Sequence, residues 1–316
     1  TRAAYLWMIS RMPRLWKLMY EVSDRRNMAE KPVRGIAPVE RLLERLLREW
    51  KPDAVVCTYM VYPYMLDSLA SRTGRAVPYL TVVTDSFVIN KSWLCSKSPL
   101  WAVTDPWTRA IMEEKGLPQD RLRVTGFPVN PVLGALAKEH PLSWKEGEPF
   151  RVLYFAQRSA RHARAELAGM LDANPALHVT CILGRRFRRI YPRIRDLRAR
   201  YGRRLTVRGW TRRVPSYLAA SHVVVGKAGG ATVHEVLAAA RPMLVNFLLP
   251  GQEEGNTRLL EKLGGGSHVP DARALASADG GAQWRRMHEN LLRAGMTGGS
   301  GRIADLALKL AEEHTN

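Results

Sequence analysis

The chain has 316 residues, 46% of them hydrophobic and 25% charged, which suits two globular domains rather than one and excludes a disordered or fibrous chain. A formal charge of +20 calls for an acidic partner: a nucleic acid, an anionic membrane surface or a phosphorylated substrate. The three cysteines, Cys57, Cys95 and Cys181, are too scattered for a metal motif or a disulfide framework, and no apolar run reaches the ~18–20 residues of a membrane span.

In chain order, the first feature is a basic amphipathic segment over 3–20. Read as a helix, it aligns Tyr5, Ile9, Met12, Trp16 and Met19 on one face. Arg11, Arg14 and Lys17 lie opposite, with Trp7 among the basic residues. Such a pattern suits the membrane interface; a surface helix kinked at Pro13 is the plain alternative. β-rich runs follow at 54–57, 79–84, 101–104, 122–125, 152–155, 179–183, 205–207, 222–225 and 243–247. Helical patterns cover 39–50, 108–114, 161–172, 190–201 and 231–240. The alternation predicts βαβ units and parallel sheets, and several runs are apolar throughout, as strands covered on both faces should be. The polar, turn-rich stretch 134–150 marks a boundary, giving domains over 1–138 and 139–298 and a terminal helix over 299–316 that packs back on the first domain.

Residues 185–213 hold thirteen arginines against one acid, Asp196. Tyr191 and Tyr201 interleave with them, but no nucleic-acid module is present. A solvated face or an anionic surface contact is therefore favoured over nucleic-acid binding.

The densest chemistry lies in "VVVGKAGGATVHEVL", 223–237. A buried strand runs into a glycine turn and then a helix. Backbone N–H groups there, with the hydroxyl of Thr232, suit an anion. Glu235, one turn into the helix, suits the vicinal hydroxyls of a ribose; a plain helix-entry turn is the competing reading. One βα unit later, "PMLVNFLLPGQEEGN" places Gln252, Glu253, Glu254 and Asn256 after a strand, where they suit sugar hydroxyls or cap the next helix.

"KAGGATVHEVL…RP…PGQEEGN" resembles the donor-site signature of the monogalactosyldiacylglycerol synthase and processive diacylglycerol glucosyltransferase family. Upstream, "ILGRRF", "VRGWT", "KPDAVVCTYMVYP", "VPYLTVVTD" and "GLPQDRLRVTGFPVNP" follow the same family in order, over roughly 30–270. The resemblance implies a GT-B fold, two Rossmann-like domains with parallel sheets facing a cleft. It implies an inverting transfer of a hexose from a UDP-sugar to diacylglycerol or a related lipid, without a cofactor or active-site metal, by a cytoplasmic protein peripheral on the inner face of the membrane. On the matching positions, Glu235 would hold the ribose, Gly229, Gly230 and Thr232 the diphosphate, and Gln252 and Glu253 the sugar, with Asn256 in the same loop. Trp210 would lie by the uracil, and Lys227 would support the leaving charge or pack its stem at the rim. Asp85 of "VVTDSF" matches an acid of the pattern, as an acceptor-side catalytic group or an N-cap.

Three departures stand out. The family's N-terminal Gly-rich loop and histidine base have no counterpart, so the N-terminal domain is expected to be incomplete. "INKSW", with Asn90, Lys91 and Trp93, lacks the usual histidine. "FAQRSARHARA" replaces a glycine-rich loop, offering Arg158 and Arg161 to phosphate instead of backbone N–H groups, or blocking it. His162 and His234 read as surface or helix residues. The departures keep open a catalytically impaired protein that binds nucleotide or lipid without transfer, and the fold keeps open a nucleotide-sugar epimerase. The choice of glucose or galactose is not written in the sequence.

Overall fold

A computed structural model describes residues 37–139, 143–145, 147–249, 252–269 and 282–315. The amphipathic segment over 3–20, with Trp7, Arg11, Arg14, Trp16 and Lys17, lies outside them. Two compact units emerge. One takes its described residues from 1–128, 250–255 and 299–316, and the other from 129–249 and 256–298.

In the first unit, α1 (Ala37–Trp50), β1 (Val55–Cys57), α2 (Val61–Thr73), β2 (Tyr79–Val82), β3 (Leu100–Val103), α3 (Pro106–Glu114) and β4 (Leu122–Val124) follow in order. The sheet is parallel, ordered β1-β2-β3-β4, with Leu80 opposite Leu100 and Trp101 opposite Leu122. Alternation along the strands builds two core layers. Trp101 and Val103 face Trp93, Ile89 and Met112, while Leu80, Val82 and Ala102 face Ile303, Leu306 and Leu310 of the C-terminal helix, Ser300–Thr315. Helix α3 starts where "TDPWT" dictates: the Asp105 carboxylate accepts from the Thr108 backbone N–H at 2.8 Å, and Pro106 supplies a pre-set first turn.

The second unit comprises α4 (Val132–Glu139), β5 (Phe150–Phe155), α5 (Ala160–Ala173), β6 (Leu177–Ile182), α6 (Phe187–Ile190), α7 (Arg195–Tyr201), β7 (Leu205–Arg208), α8 (Val214–Ala219), β8 (Val223–Lys227), α9 (Gly230–Ala238), β9 (Met243–Phe247), α10 (Gln252–Lys262), β10 (Gly266–His268) and α11 (Ala282–Ala294). The division between units cuts α10 after Gly255. Its six parallel strands run β10-β9-β8-β5-β6-β7. From β5 the chain winds out to β7, then returns to the other flank of β5 as β8. The strand order therefore reverses between β5 and β8, the switch point at whose carboxyl edge ligands of such sheets bind.

All nine expected strands form. One helical expectation and one boundary change. The pattern over 190–201 is broken into α6, a single 3-10 turn at Tyr191–Arg193 and α7, because Pro192 has no N–H to continue the ladder. The units divide at Pro128/Val129 rather than 138/139, since α4 packs on α8 of the second unit.

Candidate functional site

At the carboxyl end of β8 the chain tightens through Lys227, Ala228 and Gly229, where the Gly229 N–H donates to the Lys227 carbonyl at 2.9 Å. Gly229 then caps α9 with an ordinary extended backbone, φ −66° and ψ 138°. The glycine is therefore not needed for a left-handed turn. A side chain built on it would meet only the tip of Lys227, at 3.5 Å from Nζ. What the absent side chain leaves bare is backbone. The first N–H groups of α9 have no side-chain cap, and they point where a dipole favours negative charge.

Glu235 lies on the second turn of α9. It is half-buried, and its carboxylate makes no hydrogen bond or ion pair with any described residue; burial alone raises its carboxyl above the ordinary glutamate value. A carboxylate shielded from water and given no partner is costly unless something outside the chain supplies donors. Thr232 is half-buried one turn earlier.

The second motif is tied to the first. Asn256 on α10 is fully buried, and its Nδ2 donates to the Ala228 carbonyl at 2.9 Å, while its Oδ1 has no partner among the described residues. Asn256 thus holds the turn from behind instead of facing solvent. Gln252 opens α10, and Glu253 is buried.

Arg158 and Arg161 lie on the other side of the switch point, after β5. Ser159 caps α5 and bonds the His162 ring at 2.7 Å; Arg161 is exposed. The Arg158 guanidinium lies over the Phe247 ring, 5.3 Å from its centroid, with NH1 4.0 Å from Glu166. The sheet therefore gathers Arg158, Lys227, Gly229, Gly230, Thr232 and Glu235 at the ends of β5 and β8. Trp210 is not among them. It follows edge strand β7, three strands from β8 and hence about 14 Å away, 59% exposed beneath the Arg212 guanidinium.

Asp85 belongs to the first unit and is only 3% exposed. Its Oδ2 accepts the Trp93 indole N–H at 2.7 Å, and Asn90 caps the short turn that carries Trp93. Two residues on, Phe87 sits in the left-handed region at φ 61°, stacked on Trp107, a conformation a bulky residue adopts only when its surroundings hold it there.

Sequence reasoning missed three residues here. Gly255, counted with the first unit, abuts the Ser86 backbone so closely that an added methyl would overlap the Ser86 carbonyl. A glycine inside an otherwise polar helical stretch was the signal. Arg241 is buried and its NH2 donates to the Ala219 carbonyl at 2.7 Å, closing the end of α8. Glu166 left no signal, because its partners come from three separate elements.

The arginine-rich run divides in two. Arg186 donates to the Arg158 and Ala156 carbonyls, and Arg204 to those of Leu171, Leu177 and Asn174. Arg188, Arg189, Arg193, Arg195 and Arg198 face solvent. Asp196, the one acid of the run, is taken by both guanidinium nitrogens of Arg164 at 2.6 Å. Tyr191 is stacked on Phe187, and the Arg200 guanidinium lies over the Tyr201 ring. His234 lies within α9, where it is buried. No cluster of three metal-ligating side chains occurs among the described residues, and none of their helices is long and apolar enough to cross a membrane.

Comparison with known proteins supports the resemblance read from the motifs. The family model described as monogalactosyldiacylglycerol (MGDG) synthase matches residues 1–129. The processive diacylglycerol beta-glucosyltransferase of Staphylococcus carnosus (strain TM300) is 26% identical over 233 residues, covering 72% of this chain; the chain spans 58% of that relative's length. Among solved structures, Acinetobacter baumannii MurG aligns with a TM-score of 0.56 at 16% identity, over 84% of this chain and 77% of its own. Arabidopsis thaliana UGT89C1 aligns at 0.60 and 15%, over 90% and 81%. The chain has the GT-B fold, and its sequence relatives are the monogalactosyldiacylglycerol synthase and processive diacylglycerol glucosyltransferase family.

Proposed function

We propose that the protein transfers a hexose from a UDP-sugar to diacylglycerol or a related membrane lipid, with inversion and without a cofactor. The observation that carries this reading is Glu235, a shielded carboxylate with no partner among the described residues, one turn beyond bare backbone N–H groups at the switch point. A nucleotide would satisfy both: its ribose hydroxyls would donate to Glu235, and its diphosphate would accept from the start of α9, with Thr232, Lys227, Arg158 and Arg161 at hand. The sugar would lie toward Gln252 and Glu253. By the resemblance, Trp210 would lie by the uracil. Fixed donors and cations would then stabilise the leaving diphosphate as its charge develops.

Replacing Glu235 with alanine should weaken UDP binding about 10–100-fold, the range of a hydrogen bond to a charged group. Calorimetry on the folded variant checks this, and unchanged affinity would remove the nucleotide reading.

The lipid acceptor draws on the names of the relatives, and an inner-face, peripheral location on the charge. Five outward arginines on α6, α7 and the turn between them would face anionic headgroups, each contributing about 1 kcal/mol near the surface. Sedimentation with anionic vesicles should fall as salt shortens the Debye length, and binding indifferent to lipid charge would count against the reading.

A second reading has its own observation. Asp85, the acid that would serve the acceptor, is only 3% exposed and accepts the Trp93 indole N–H, an observation that favours a protein that binds nucleotide or lipid without transfer. Product formation from UDP-glucose or UDP-galactose with diacylglycerol decides between the two.

A further inference from the structure

Glu166 lies on α5 with its side chain only 12% exposed. Its Oε2 accepts the Tyr154 hydroxyl from β5 and the Asn246 Nδ2 from β9, the latter at 2.9 Å. Strand β8 runs between β5 and β9, so a carboxylate reached from both must sit over β8. Its other oxygen faces Arg158 NH1 at 4.0 Å. The Arg158 guanidinium, anchored after β5, stacks on Phe247 at the end of β9. It therefore crosses the carboxyl end of β8, where the Lys227–Gly229 turn departs.

A backbone irregularity makes this possible. The β8–β9 register jumps from Gly226 opposite Val245 to Lys227 opposite Phe247, leaving Asn246 as an extra residue. Such bulges re-aim side chains and are frequent next to active sites. Here the bulge accompanies an amide directed to Glu166 and an aromatic ring beneath Arg158.

An ordinary stabilising ion pair is a poor account of the arrangement. At 4.0 Å, with Arg158 still 34% exposed, the pair itself contributes little, whereas shielding the carboxylate is costly. Three elements converge on Glu166, and the group they fix is a cation whose outer edge remains open.

We infer that Glu166 is a positioning residue: together with Tyr154 and Asn246 it holds the Arg158 guanidinium across the end of β8, where it meets the phosphates of a nucleoside diphosphate. The inference rests on reading the switch point as a nucleotide site, and it assigns the phosphate end of that site to a cation preset before the ligand arrives. A guanidinium held in place loses less freedom on binding than one recruited from solvent, and its fork matches phosphate oxygens.

The test compares UDP with uridine, by calorimetry for the first and ligand-observed NMR for the second. Glu166→Gln keeps the shape and removes the charge that orients Arg158. It should lower UDP affinity about 10-fold and leave uridine binding unchanged. In an Arg158→Ala background the same change should have no further effect. Asn246→Ala, which removes one hydrogen bond and spares the carboxylate, should give a smaller loss confined to UDP, and it carries the test if Glu166→Gln does not fold. Equal losses for UDP and uridine would overturn the inference, because a general structural role moves both. Unchanged UDP affinity in Glu166→Gln, with Glu235→Ala still impaired, would overturn it and leave the nucleotide reading standing. Wild-type protein that binds no UDP would overturn both.

Discussion

Asp85 and Glu235 are two carboxylates that follow a buried strand, one in each unit, and the sequence marks both as site residues. Their surroundings differ. Asp85 is almost wholly buried and accepts an indole hydrogen bond at 2.7 Å, from a tryptophan that is itself part of the core of its unit. Glu235 is less buried, has no partner among the described residues, and carries a carboxyl raised by burial alone. Depth of burial is thus a poor guide to function. An acid whose hydrogen bonds are made by the protein supports the fold, and one left without them is prepared for something else.

The largest effect that separates the two is on stability. Asp85→Ala strands the Trp93 indole N–H in the core of the first unit and should cost about 3 kcal/mol, read as a fall in denaturant midpoint, because a buried donor loses a charged acceptor. A variant as stable as wild type would erase the distinction drawn here. Next comes Gly229→Ala. The backbone at 229 is ordinary and the space beside it holds only the Lys227 tip, so the fold should lose less than about 1 kcal/mol, the value of a poorer cap. UDP affinity should nevertheless fall about 10-fold, since the methyl covers backbone meant for phosphate. Equal damage to stability would mean that the glycine serves the protein alone.

The smallest effect has the opposite sign. Because the folded carboxyl of Glu235 titrates above its unfolded value, the folded state prefers it protonated. Relative to a neutral side chain, the resulting penalty is absent below about pH 4.5. It grows as pH rises between the unfolded and folded values and is complete above the folded one. Glu235→Gln should therefore stabilise the protein slightly at neutral pH while weakening UDP binding. Parallel thermal melts at pH 4 and pH 7 check the sign, and a Gln variant less stable at pH 7 would show that the carboxylate has protein partners after all.

Much of the fold was legible because parallel strands covered on both faces write themselves as apolar runs. "TVVT", "HVVV" and "PMLVNF" need no tertiary information to be recognised. Strand β10 escaped because "GSH" is short, glycine-flanked and lies at the sheet edge. Helix α10 escaped because "QEEGNTRLLEK" opens on residues equally suited to a loop. The nucleotide turn was readable since its parts are adjacent in sequence. The meeting of Asn256 with Ala228 was not, for twenty-eight positions separate them and only packing joins them. The same holds for Glu166, whose acceptor role depends on a strand order that no local pattern encodes.

One further consequence follows from the C-terminal helix. Ile303, Leu306 and Leu310 complete a core layer whose other half, Leu80 and Val82, was synthesised more than two hundred residues earlier. During translation, the layer that Leu80 and Val82 begin cannot be completed until residues 303–310 have emerged. The second unit draws all its strands from 150–268 and can close its own core before then. Order of synthesis and order of completion are reversed in this chain: the unit made first is sealed last, and it is the unit exposed to aggregation or chaperone capture in the interval.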